Sequence, residues 1–155
     1  MPDRKISTER LPRLELTGPA GTVRLHAPQL GAPVLLLVRD ASLERARAWM
    51  MALEQNASEL RVWGGRPLLI TEHVAKSAVP TVVAGDEVWS DLGIRDSALI
   101  IADRWGVVYF LQETTTFDDL PPVDEVIEWV RYLSMQCPEC GVIDEPGYGE
   151  WALLS

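Results

Sequence analysis

Cys137-Pro138-Glu139-Cys140 is the constellation in this 155-residue chain whose residue types and spacing point most directly at chemistry. Two thiols separated by two residues can form and exchange a disulfide, or ligate a metal. Their neighbours weigh on which. Glu139, Asp144 and Glu145 surround the pair with like charge, and the last apolar stripe of helical spacing, Val123, Val126, Ile127, Val130 and Leu133, precedes the pair instead of following it. Gly141 suits a chain leaving a helix. The thiols therefore meet the negative end of a helix dipole, and their pKa values are expected to be ordinary or raised, unlike those of an activated cysteine. Three readings stay open: structural thiols or a labile disulfide pinning the tail, half of a zinc site, and an active redox pair. Zinc takes four ligands. No second C-x-x-C exists, and His26 and His73 stand alone in the sequence, so a complete site needs two copies of the chain or a partner's ligands.

The residues beyond the pair carry Tyr148, Trp151, Leu153 and Leu154 among Gly, Pro and acidic side chains. Such a strip either packs back on its own domain or docks a partner, because aromatic and aliphatic anchors in an acidic segment suit protein recognition. Other chemistry-bearing patterns are missing. Gly64-Gly65 lacks the Lys-Ser/Thr of a phosphate loop. Asp118-Asp119 and Asp124-Glu125 flank Pro121-Pro122 at a helix start, where carboxylates are expected on dipole grounds. Trp49, Trp89, Trp105 and Trp129 occur singly and read as core or surface plugs.

Charge narrows the function classes. The formal net charge is −9. Residues 1–13 are mildly basic and residues 14–111 nearly neutral, whereas residues 112–155 hold Arg131 as their one base against a run of acids. A phosphate backbone would be repelled there, which argues against a nucleic-acid partner. The apolar runs Val34 to Val38 and Ala98 to Ala102 are too short to insert across a membrane, and the first 13 residues lack the apolar stretch of a secretory signal. A cytoplasmic location is expected, where two cysteines are more often reduced, metal-bound or redox-active than a permanent staple.

The elements that would position these residues follow from periodicity. Leu14, Leu16, Val23 and Leu25 alternate around Gly18-Pro19-Ala20-Gly21, as in a small hairpin. Val34 to Val38 is continuously apolar, as a strand covered on both faces requires. Leu43, Ala46, Trp49, Met50, Leu53, Ala57 and Leu60 then recur at helical spacing, with Ser42 or Asp40 as cap. Arg66 to Thr71 predicts the second strand of a βαβ unit. Val79 to Val83 reads as a short strand or turn, and Asp86 to Leu92 as a short helix stopped by Gly93. Ala98 to Ala102 and Gly106 to Leu111 form a hairpin through Asp103-Arg104-Trp105-Gly106, followed by the helix of the Val123 stripe. This order predicts an α/β fold: a central mixed sheet with helices on both faces, in the outline of the thioredoxin fold.

At this point "GAPVLLLV", "TVVAGDEVWSDLGI" and "ALIIADRWGVVYF" resemble, in order and spacing, the redoxin branch of the thioredoxin-like superfamily, the peroxiredoxin-like or thiol-specific antioxidant domains. The resemblance runs from about Leu11 to Leu133. It implies a thioredoxin-like (redoxin) domain over residues 1–136, with residues 137–155 as a C-x-x-C tail. It also implies that chemistry would sit at the corner between the central strand and the long helix, where free NH groups and the helix dipole stabilise a thiolate. Here that corner reads Arg39-Asp40-Ala41-Ser42-Leu43-Glu44-Arg45-Ala46 and holds no cysteine. Anchored on Arg47-Ala48-Trp49, the family's two thiols would fall at Leu43 and Ala46. The family's cis-proline would fall near Ser97-Ala98, which has no proline, or, on a rival alignment, at Val79-Pro80-Thr81. Ser42 and Arg39 stand where a peroxidatic nucleophile and its activating arginine would be sought, but a hydroxyl cannot enter the sulfenic acid cycle, so Ser42 reads as a helix cap.

The expectation is a domain without the active-site thiol, acting as an interaction module or accessory subunit, with a protein partner or homodimer and no cofactor unless zinc completes a shared site. The alternative is a thiol-disulfide oxidoreductase or peroxide-detoxifying enzyme using Cys137 and Cys140.

Overall fold

The computed structural model describes residues 10–18, 21–27, 30–73 and 77–135. An N-terminal hairpin of β1 (Glu15–Gly18) and β2 (Gly21–Arg24) leads to β3 (Ala32–Val38). A single 3₁₀ turn, Asp40–Ser42, connects β3 to α1 (Leu43–Gln55), followed by α2 (Ala57–Val62), β4 (Gly65–Thr71) and β5 (Thr81–Val83). The chain ends its described part with α3 (Asp86–Leu92), β6 (Ser97–Ala102), β7 (Val108–Thr114) and α4 (Val123–Ser134). The five-stranded sheet has the order β5-β4-β3-β6-β7. β3 lies in its middle, parallel to β4 and antiparallel to β6. Every residue of β3 is buried, as its unbroken apolar run requires of a strand covered on both faces.

Alternation along the strands divides the core. Val34, Leu36, Val38, Leu69, Leu99 and Ile101 pack under α1, α2 and α4, with Trp49, Leu53, Leu60, Val126 and Trp129. Leu35, Leu37, Leu68, Ile70, Ala98 and Ile100 face the opposite side, under the hairpin and α3, with Leu16, Leu25, Val88 and Trp89. Burying each Leu or Ile stabilises the fold by about 1.5–3 kcal/mol. The helix expected to run unbroken from Leu43 to Leu60 is two helices. Asn56 interrupts it with φ −106° and ψ 7°, its side-chain amide donating to the Ala52 carbonyl at 2.8 Å. Asn competes in this way for helix carbonyls, and Leu60, in the second helix, stays fully buried. Gly93 closes α3 in the left-handed region at φ 72°, as a C-terminal glycine should.

Candidate functional site at the strand–helix corner

The C-terminal ends of the parallel strands β3 and β4 and the start of β6 meet at one end of the sheet, and side chains from four parts of the chain converge there. Arg39, the residue after β3, donates from Nη1 to Glu72 Oε2 at 3.0 Å and to Asp86 Oδ1 at 2.6 Å. Its Nε donates to the Arg95 carbonyl at 3.3 Å, and its guanidinium lies 4.5 Å from the centre of the Trp89 ring, a cation–π geometry. Trp89 is itself fixed, its Nε1–H donating to the Asp96 carbonyl at 2.8 Å. Burial opposes the Arg39 charge, but the hydrogen bonds to Asp86 and Glu72 outweigh it and hold its pKa above the ordinary arginine value.

Glu72 uses its second oxygen on the helix start: Oε1 accepts the Asp40 backbone NH at 2.8 Å. A carboxylate thus sits on an amide of the turn that opens α1, where amides are otherwise without partners and the dipole favours an anion. The Arg39 backbone NH donates to Ser97 Oγ at 3.1 Å. Ser97 therefore stands beside the corner, whereas Pro80 precedes the edge strand β5, two strands away from β3. Among the described residues no peptide bond is cis.

The sequence-derived corner residues fall as follows. Arg39 and Asp40 join the ion cluster. Ala46 is buried and Leu43 half-buried on the apolar side of α1, against the sheet and α4 cluster. Ser42 occupies the position before α1 but makes no side-chain cap hydrogen bond, and neither does Asp40. The reason is conformational: Ser42, at φ −106° and ψ 0°, is already in the helical region instead of the extended one a capping side chain uses. Its own NH donates to the Arg39 carbonyl within the 3₁₀ turn. Asp40 instead turns to His73, whose Nδ1 is hydrogen-bonded to Asp40 Oδ2. His73 is a surface histidine, 80% exposed, with Asp40 as its partner. Glu72, His73, Asp86 and Trp89 were missed by sequence reasoning. The one available signal was that Glu72-His73 directly follows the C-terminal end of a parallel strand, where α/β sheets place their sites. Cys137, Cys140, Tyr148, Trp151, Leu153 and Leu154 lie outside the described residues. Among the described residues, no three His, Cys, Asp or Glu side chains converge as a metal site, and no helix is long and apolar enough to cross a membrane.

Solved structures share this architecture. Peroxiredoxin Q of Xanthomonas campestris superposes with a TM-score of 0.64 at 13% identity, covering 85% of this chain and 98% of that one. Peroxidoxin BcpB of Mycobacterium tuberculosis gives 0.66 at 14% identity, covering 85% and 99%. The thioredoxin domain of a thiol-disulfide oxidoreductase from Bacteroides vulgatus gives 0.62 at 11% identity, covering 81% and 96%. No protein-family model and no curated protein matches the sequence. The chain has the thioredoxin-like fold.

Proposed function

We propose that this protein is a redoxin-type domain whose corner has exchanged thiol chemistry for a fixed ion cluster, and that it works as an interaction module or accessory subunit. The observation that carries this is Glu72, whose carboxylate holds Arg39 on one oxygen and the Asp40 amide on the other. An anion already satisfies this amide at the helix start, and apolar Leu43 and Ala46 stand where the resemblance puts thiols.

The competing reading, a thiol-disulfide or peroxide-reducing enzyme using Cys137 and Cys140, draws support from the thiol enzymes among the structural neighbours. Chain length weighs against it. Leu133 and Ser134, at the end of α4, border a small cavity of about 110 Å³ with Ala32, Gly64 and Trp105. These residues lie at the sheet end opposite Arg39, separated from it by the length of β3, about 20 Å. Cys137 follows Met135 by two residues, which span at most about 7 Å, so the pair cannot both return to the corner of its own chain. On this reading the tail, with Tyr148, Trp151, Leu153 and Leu154, packs back on its own domain or docks a partner, and the cofactor it would take is zinc, completed by a second Cys137-Cys140 pair or by a partner's ligands. A reducing, cytoplasmic setting suits such thiols. The test is alkylation of the two cysteines by iodoacetamide across pH. Thiol pKa values at or above about 8.5 support the module, and a value below about 7 marks an activated thiol and the enzyme.

A further inference from the structure

A second feature lies away from the corner, where the N-terminal hairpin crosses the sheet. β5 pairs with β4 only from Leu69 to Thr71, so β5 leaves the first half of β4 uncovered along that edge. An open cavity of about 520 Å³ occupies this place, within the range of small-molecule sites. Its walls are apolar: Val23, Ala27, Leu30, Pro67, Leu68 and Pro80. Arg66 and Arg24 add two guanidinium groups, and Thr22 a hydroxyl.

Arg66 is the unexplained group. Its Nη2 donates to the Arg24 and Leu25 carbonyls at 2.7 and 2.6 Å, which ties β2 to the sheet. Nε is buried without a hydrogen-bond partner, and no carboxylate among the described residues pairs with the side chain. Burial accordingly pushes the Arg66 pKa below its ordinary value. Nε is closed to solvent and Nη2 is held by the two carbonyls, so Nη1 is the donor of this half-buried guanidinium that a ligand can reach. Arg24, at the cavity rim, has a carboxylate of its own in Glu15 at 3.5 Å. Among the described residues, the guanidinium at this cavity without a carboxylate is therefore that of Arg66.

We infer that this cavity is a binding site for a small monocarboxylate with an apolar body, its carboxylate on Arg66 and its chain against Leu30, Pro67, Leu68 and Pro80. With Nη2 and Nε unavailable, the carboxylate pairs with Nη1 in a single charge-assisted contact, and the walls select an aliphatic or aromatic body over a hydrated inorganic anion. The site is distinct from the Arg39 corner and stands or falls independently of the proposed function.

The test uses the full 155-residue protein and sodium octanoate as probe, with octan-1-ol and inorganic phosphate as controls. Binding is read by isothermal titration and by the NMR resonance of the Arg66 Nε–H. Octanoate should bind at one saturable site and shift that resonance, with octan-1-ol and phosphate each at least tenfold weaker. Leu30→Trp, a change at a half-exposed residue that fills the cavity and leaves Arg66 in place, should weaken octanoate at least tenfold. Arg66→Gln should do the same; because it could also loosen the hairpin, Leu30→Trp carries the decision. No saturable binding, octan-1-ol binding as tightly as octanoate, phosphate binding as tightly as octanoate, or unaltered affinity in Leu30→Trp would each overturn the inference.

Discussion

Glu72 Oε1 accepts the Asp40 backbone NH at 2.8 Å, so the carboxylate at the end of one parallel strand holds the turn that leads from its neighbour into α1. The same carboxylate binds Arg39, and its side chain is 25% exposed, against 87% for Asp86, the other anion on Arg39. The two should therefore differ in worth. Glu72→Ala removes a charge-assisted bond and an amide's acceptor and should cost about 1.5–3 kcal/mol. Asp86→Ala loses a solvent-screened pair and should cost less than about 1 kcal/mol. Urea midpoints decide, and equal shifts would show that the Glu72 bridge to the helix start carries no special weight.

Trp49 ties α1 to the segment before α4, its buried Nε1–H donating to the Pro121 carbonyl at 3.0 Å. Trp49→Phe keeps much of the apolar area and deletes this bond, leaving a buried carbonyl unpaired. A loss of about 1–3 kcal/mol is expected, and an unchanged thermal midpoint would show that the bond is not needed to dock the two elements.

The turn residues Gly31 and Gly64 separate backbone strain from crowding. Both have positive φ, at 93° and 84°, but a Cβ on Gly31 would collide with the Gly64 carbonyl oxygen, whereas one on Gly64 meets nothing within 4 Å. Gly64→Ala should cost about 1–2 kcal/mol for the left-handed conformation alone. Gly31→Ala adds a backbone collision and should be clearly worse; comparable midpoints for the two variants would contradict this.

Much of this architecture was legible in the sequence, and the limits have physical causes. The run Val34 to Val38 announced the central strand because both its faces are buried, and the Val123 stripe announced α4 because one face is. The break at Asn56 escaped because apolar spacing continues through it, while the interruption is a side-chain hydrogen bond to the preceding turn. The corner cluster escaped for another reason. Arg39 meets Glu72 and Asp86 across 33 and 47 residues, and periodicity reports which face an element buries, not which polar ends the topology brings together.

His26 sets a pH dependence. Burial lowers its pKa from 6.5, with the charges of Arg13, Arg10 and Arg66 acting in the same direction against a hydrogen bond to the Leu11 backbone. The folded state thus favours neutral imidazole, and the unfolded state binds more protons below about pH 6.5. The stability this residue contributes is present above its unfolded pKa and lost as pH falls below it. The stability of the wild type relative to His26→Gln should accordingly decline between pH 7 and pH 5. A pH-independent difference would mean that His26 titrates alike in both states.

The most direct measurement of the central claim is turnover. The 155-residue chain, with dithiothreitol as reductant, should reduce neither insulin disulfides nor hydrogen peroxide above the uncatalysed rate, and Cys137→Ser and Cys140→Ser should leave that background unchanged. Catalytic reduction of either substrate that disappears in one of these variants would contradict the account and assign the chain to the thiol enzymes whose fold it shares.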